Sequence, residues 1–299
     1  MITGSDFAKT YGPKGFAAWE AAAFAEAQKD SLTPWPWADL HVADAAGNKA
    51  VLRVQTDVLA IGPTQDALRL PLTPGTAQSI YNLFGWLLPT PWLSYRIYQM
   101  ASRKLQPLPM NNRPGPTGPA HMEDWVRHSA AIDRQLAALP APTTPGFISG
   151  LGKNVVVSNI YKPGVVLIQG WYRPPPSPDV FDDHRPLETP DRQPIQPNSN
   201  AHGASYLDYS HVIQAVGPEA IVTPVGEAPR RMNTVDLYQH PTLSRLVSHE
   251  GPVKVARYPS VVVARRNLPT QALPPNAEGV DIVTNVPSTT DQGLYAVTP

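Results

Sequence analysis

The sequence predicts an α+β protein, with a helical N-terminal half that includes a small antiparallel sheet and a β-rich second half with long proline-rich loops. Three observations carry this. Residues 15–30 are rich in Ala and Glu and place Phe16, Trp19, Ala23 and Phe24 near the 3.6-residue spacing of an amphipathic helix. Thr73-Pro74 and Thr90-Pro91 each put a capping residue before a proline at the first helical position. Beyond residue 150 the apolar residues come as short β-branched runs separated by turn residues.

Along the chain, the helix over 15–30 buries its aromatics. Leu40-His41-Val42 and Val51-Leu52-Arg53-Val54, joined by a turn at Ala46-Gly47-Asn48, read as a hairpin, with residues 58–61 as its third strand. The two Thr-Pro caps open helices over 74–87 and 91–104, whose faces (Ile80, Leu83, Phe84, Leu87; Trp92, Tyr95, Ile97, Tyr98) form the main core. Residues 105–119 hold five prolines without periodicity and read as a linker, followed by a helix over 121–139. Residues 154–158 and 165–171 read as a second hairpin across Tyr161-Lys162-Pro163-Gly164. Eight prolines between Pro174 and Pro197 make that stretch an extended loop rather than a central strand. Residues 206–216 return to strand character, 241–248 to a short helix, and 259–299 to an extended tail. The expected organisation is a mainly helical α+β part over 1–150, a β-rich part over 151–258, and a C-terminal arm over 259–299 suited to docking on a neighbouring subunit.

Composition narrows the function classes. Proline stands at 36 of 299 residues, about twice the usual ~5%. Charged residues make up only 16%. There is no Gly-x-y period, so the chain reads as folded with many ordered loops, not as collagen. Twenty-four basic residues balance twenty-four acidic ones, which gives no whole-chain field for nucleic acid or anionic membrane. The absence of cysteine removes disulfides, thiolate nucleophiles and Cys-bound zinc. No signal peptide is visible at the N-terminus, and the most apolar stretch, 80–97, is broken by Pro89, Pro91 and Arg96. A soluble protein made in the cytoplasm is expected.

The densest polar stretch runs over residues 198–211 and holds His202, Ser205, Tyr206, Asp208, Tyr209, Ser210 and His211. As a strand, 206–211 would put Tyr206, Asp208 and Ser210 on one face and Leu207, Tyr209 and His211 on the other. A direct pairing of Asp208 with His211 would then need a bulge or an end to the strand. Three readings follow. His202, Asp208 and His211, with His184 from the long loop, make a histidine and carboxylate set for a hydrolytic zinc, although no HExxH spacing supports it. Ser210 or Ser205 with a histidine base and Asp208 would be a triad variant, without the GxSxG elbow. The third is a hydrogen-bonded core network, which these residue types favour.

Weaker signals remain. Gly150-Leu151-Gly152-Lys153 lacks the spacing and the Ser/Thr of a phosphate loop, so it reads as a turn. Arg230-Arg231 and Arg265-Arg266 read as solvated faces or intersubunit salt bridges. Trp35, Trp37 and Trp171 could form an aromatic platform for a sugar or a proline-rich partner, against the simpler reading of buried core.

Several segments also resemble an uncharacterised family of bacterial proteins, met too among phage open reading frames. They are Asp57 through Gly62, Arg69 through Pro74 with Ala77-Gln78, Leu88-Pro89-Thr90, Val155 through Asn159, Gly170 through Arg173, Arg192 through Pro197, and His202 with Tyr206-Leu207-Asp208-Tyr209-Ser210-His211. The resemblance spans about residues 55–216 and its signature is Tyr-x-Asp-Tyr-Ser-His; it implies no established activity. This chain departs from the pattern at Val212, where the family has Gly. It departs again at Gly150 to Lys153, where the family has a basic, histidine-containing turn. If those positions serve a reaction, this chain has lost it.

The leading expectation is a non-enzymatic phage virion protein, a head, collar or tail component, contacting other virion subunits through its loops and arm, with no cofactor. The alternative is a peptidoglycan-directed hydrolase, zinc-dependent in one form, using His202, Asp208 and His211.

Overall fold

The computed structural model describes residues 1–109, 122–140, 144–174 and 194–260. The N-terminus opens with helix α1 (Gly4–Tyr11), capped by the Thr3 hydroxyl accepting from the Asp6 amide at 3.0 Å. A 3-10 turn (Gly12–Lys14) leads into α2 (Phe16–Gln28). Trp19 is its anchor: fully buried, it packs edge-on against Phe7 and Trp125, each with ring centres 4.9 Å away. The periodicity of residues 15–30 thus located the helix, whereas α1 carried no comparable apolar signal.

The first hairpin is β1 (Trp37–Ala43) with β2 (Lys49–Gln55), in register Leu40 to Leu52 and Val42 to Ala50. Its turn is closed by the Asp44 carboxylate, which accepts from the Ala46 and Asn48 amides, both at 3.0 Å. The third strand expected over 58–61 does not join this sheet. Instead β3 (Ala60–Ile61) pairs with β4 (Leu68–Arg69) in a separate ribbon. The free edge of β2 is taken by a strand from the far half of the chain, described below.

Helices α3 (Pro74–Phe84) and α4 (Pro91–Met100) begin at the two prolines as expected but are shorter than their apolar faces suggested. Gly85, in the left-handed region at φ 75°, ends α3. After α4 the chain turns extended, and β5 (Arg103–Lys104) runs parallel to β6 (Ile148–Ser149). Thr90 caps α4 as its position predicts, accepting from the Leu93 amide at 3.1 Å. Thr73 does not cap α3, because its hydroxyl donates to Glu20 at 2.8 Å. Helix α5 (Met122–Ala138) lies within the expected 121–139.

The second hairpin is β7 (Lys153–Val155) with β8 (Val165–Tyr172). Strand β9 (Pro194–Gly203) follows on β8 and forms one edge of this sheet, in the order β10-β7-β8-β9. Its prolines sit where an edge strand tolerates them. The strand expected over 206–216 is corrected to a turn around 205–210, the two-residue β10 (His211–Val212), and a new strand β11 (Val216–Thr223). β11 pairs with β2 on one side and with β12 (Arg230–Asn233) on the other. Arg231 reaches Glu219 and Arg230 reaches Glu227 within the same chain, so these arginines have local partners. Helix α6 (Thr234–Gln239) and a 3-10 turn (Leu243–Leu246) complete the described chain.

The architecture is α+β, with six helices against several mainly antiparallel sheets among the described residues. The four-stranded sheet β1-β2-β11-β12 draws strands from both sides of residue 150, and one apolar core runs from Phe7 to Tyr258 through both halves. Tyr258 locks the end of the described chain to the second sheet, its hydroxyl accepting from the Leu167 amide at 2.9 Å and donating to the Val156 carbonyl at 2.8 Å. Residues 261–299, most of the expected arm, lie outside the described residues, as does most of the 105–119 linker.

Candidate functional site

The polar stretch singled out in the sequence is built around Asp208. Its carboxylate accepts from the Ser210 amide at 2.7 Å and from the Ser210 hydroxyl, an Asx turn that replaces the expected strand. The same carboxylate accepts from Lys153 Nζ at 3.0 Å and from the Tyr206 hydroxyl at 3.3 Å. Because the turn ends at residue 210 and β10 starts at His211, His211 swings to the Asp208 side, its Nε2 3.9 Å from Oδ2. Asp208 and Ser210 are therefore neighbours, as the sequence implied, through a turn rather than through a shared strand face.

Lys153 arrives from the Gly-Leu-Gly-Lys segment. β7 and β10 run parallel with His211 opposite Lys153, and the Lys153 amide donates to the Ser210 carbonyl at 2.6 Å. Gly152 is required there: a Cβ would stand 2.4 Å from the Ser210 carbonyl oxygen. The glycines of this segment thus permit close backbone approach and give no cradle for a phosphate.

Around this centre lie aromatic rings. His202, on β9, stacks on Tyr206 with ring centres 3.9 Å apart. His128, on α5, packs edge-on against Tyr209 and Trp171, and its ring bonds to the Tyr209 backbone. Trp171 is held at φ 62°, with its indole donating to the Gly150 carbonyl at 2.9 Å. His128 and Lys153 were missed as partners of the segment. Lys153 adjoined a recognisable glycine turn, but nothing in the helical pattern of α5 marked His128.

Burial sets the electrostatics. His211 is pushed down to about 4, chiefly by its desolvation, with Asp208 opposing. His128 is likewise pushed down to about 4 by burial and by the Arg69 charge. Burial alone would raise the Asp208 carboxyl, but His211, Lys153 and the Ser210 hydroxyl outweigh it and hold it well below the usual carboxylate range. At neutral pH the centre is an ion pair, Lys153 with Asp208, beside two neutral imidazoles.

This arrangement departs from nucleophilic catalysis in a specific way. Ser210 has no exposed surface and donates to the carboxylate, not to a histidine. His211 is 1% exposed, and neither of its ring nitrogens has a hydrogen-bond partner among the described residues. A serine, histidine and aspartate relay needs the imidazole between the other two. For the metal reading, no group of three or more His, Cys, Asp or Glu is placed to hold an ion among the described residues, and His184 lies outside them. Ser205 is exposed.

The three tryptophans occupy separate surroundings. Trp171 is 2% exposed, so its ring offers no face to a ligand. Trp37 packs edge-on against Trp86 with ring centres 5.3 Å apart. Trp35 is half-buried, donates to the Val58 carbonyl at 2.8 Å, and lies 5.7 Å from the Arg69 guanidinium.

No described helix is long and apolar enough to cross a membrane. Compared with protein-family models, with curated proteins and with solved structures, the chain matches none.

Proposed function

We propose that this chain is a non-enzymatic structural or accessory subunit of a phage virion, a head, collar or tail component, that contacts neighbouring subunits through its loops and its C-terminal arm. The observation that carries this reading is the closure of the Asp208 centre. In the one stretch rich in catalytic residue types, the Asp208 carboxylate and the Ser210 hydroxyl are spent on the turn and on Lys153, and Ser210 and His211 are out of reach of solvent. Among the described residues the outer edge of β9 in the second sheet is unpaired, which adds to it. β9 is ten residues long, bounded by β8 on one side, and mostly half-buried or exposed, and such an edge can receive a strand from another chain.

The test is deletion of residues 259–299, which leaves the Tyr258 anchor in place. The shortened chain is expected to keep its unfolding midpoint and to lose co-assembly with its partner subunits, measured by sedimentation of assembled particles. Normal incorporation of the shortened chain would contradict the arm's role. The second reading, a peptidoglycan hydrolase, rests on the 3.9 Å approach of His211 to Asp208. It requires stoichiometric zinc or soluble peptidoglycan fragments, either of them lost in His211→Ala.

A further inference from the structure

A cavity of about 420 Å³ is lined by residues far apart in the chain, among them Trp35, Pro36, Arg69, Arg103, Asp133 and Pro145. Its volume falls in the range of small-molecule sites. The donors of Arg69 are committed: Nε and one terminal nitrogen to Asp57, at 3.0 and 2.6 Å, and the other terminal nitrogen to Asp133 at 2.7 Å. Arg103 is different. Its Nε is enclosed without any hydrogen-bond acceptor, and its guanidinium enters no ion pair among the described residues. Arg103 is half-buried, and an unpaired guanidinium at a cavity wall is matched best by a carboxylate, which can take two parallel hydrogen bonds from it. The indole of Trp35 and the rings of Pro36 and Pro145 supply flat apolar walls beside it.

We propose that this cavity binds a small molecule carrying a carboxylate on a flat ring, with the acid on Arg103 and the ring against Trp35. The proposal is independent of the assembly reading, since it involves neither the arm nor β9. Asp133 gives it a sign. Its side chain is 54% exposed at the rim, where its negative charge opposes an incoming anion, so neutralising it favours binding.

The test is calorimetric titration of the full chain with benzoate, with neutral benzamide as the isosteric control. Benzoate is expected to saturate with a Kd of about 1 mM, the range open to so small a ligand. Benzamide is expected to bind at least about tenfold more weakly, as loss of a charge-assisted bond implies. Arg103→Met and Trp35→Leu should each weaken benzoate, Arg103→Lys should retain part of the affinity, and Asp133→Asn should raise it. The absence of saturable benzoate binding, equal binding of benzamide, or undiminished affinity in a folded Arg103→Met chain would each overturn the proposal. The benzoate to benzamide comparison on the unmodified chain decides the question even if the Arg103 variants do not fold.

Discussion

Replacing Asp57 with alanine is expected to cost about 3–5 kcal/mol of folding stability, the penalty for removing one partner of a buried ion pair. Asp57 and Arg69 are 2% and 5% exposed at their side chains. The carboxylate takes two donors from Arg69 and the Val58 amide at 2.7 Å. Burial alone would lower the guanidinium's pKa, yet Asp57 and Asp133 hold it above its ordinary value; with Asp57 gone the group still stays charged, because a guanidinium does not give up its proton in a protein. The charge would then rest on the half-exposed Asp133 and the ring of Trp35. Urea unfolding measures the loss. The double variant Asp57→Leu with Arg69→Met is expected to be more stable than Asp57→Ala, because no uncompensated charge remains. An Asp57→Ala chain within about 1 kcal/mol of the unmodified protein, the worth of an exposed pair, would contradict this description.

Acid is expected to destabilise the protein well above the range where carboxylates protonate. His128 and His211 are held down to about 4 in the folded state, against ~6.5 for histidine in an unfolded chain. Between these values the unfolded chain binds protons that the folded chain refuses, so stability is fully present above pH ~6.5 and falls as pH drops toward ~4. Each histidine contributes a slope of up to about 1.4 kcal/mol per pH unit. The depressed Asp208 carboxyl adds stability present above ~3.9 and lost as pH falls further. Urea midpoints at a series of pH values should fall along this limb. His249 is also held low by burial, so His211→Phe should remove one histidine's share of the slope while retaining stability at neutral pH, because neither ring nitrogen makes a hydrogen bond to lose among the described residues. An unchanged slope in His211→Phe would contradict the neutral burial of this ring.

The fold class and the helices with strong periodicity or Thr-Pro starts were legible in the sequence, because those signals are local. The first hairpin was legible for the same reason. The sheets they belong to were not, since the β2 edge is filled by β11 from more than a hundred residues away. β11 itself is interrupted by Gly217 and Pro218, and its register to β2 shifts between Val216 and Ala220, so its alternation is broken in sequence. β12 is an exposed edge of Arg, Arg, Met and Asn with no apolar face to betray it. At the candidate site the sequence marked Asp208, Ser210 and His211, and they do cluster, but it supplied the wrong backbone. The turn is set by the Asp208 side chain competing for the Ser210 amide, a choice that period-two alternation does not reveal. Lys153 stands 55 residues from Asp208, and only tertiary pairing of β7 with β10 joins them.

We propose that the Asp208 segment serves the fold and not a reaction. The two roles predict opposite signs when the carboxylate is neutralised. A group kept for chemistry is commonly a burden on stability, so removing it leaves a protein as stable or more so, whereas a structural carboxylate takes its hydrogen bonds with it. The most direct measurement is therefore the urea unfolding free energy of Asp208→Asn at pH 7 beside the unmodified chain. A loss of about 1–3 kcal/mol is predicted, because an amide NH2 replaces the oxygen that accepts from Lys153 and Tyr206 and leaves the Lys153 charge stranded. An unchanged or increased stability would contradict the structural role and return the segment to candidacy as an active site.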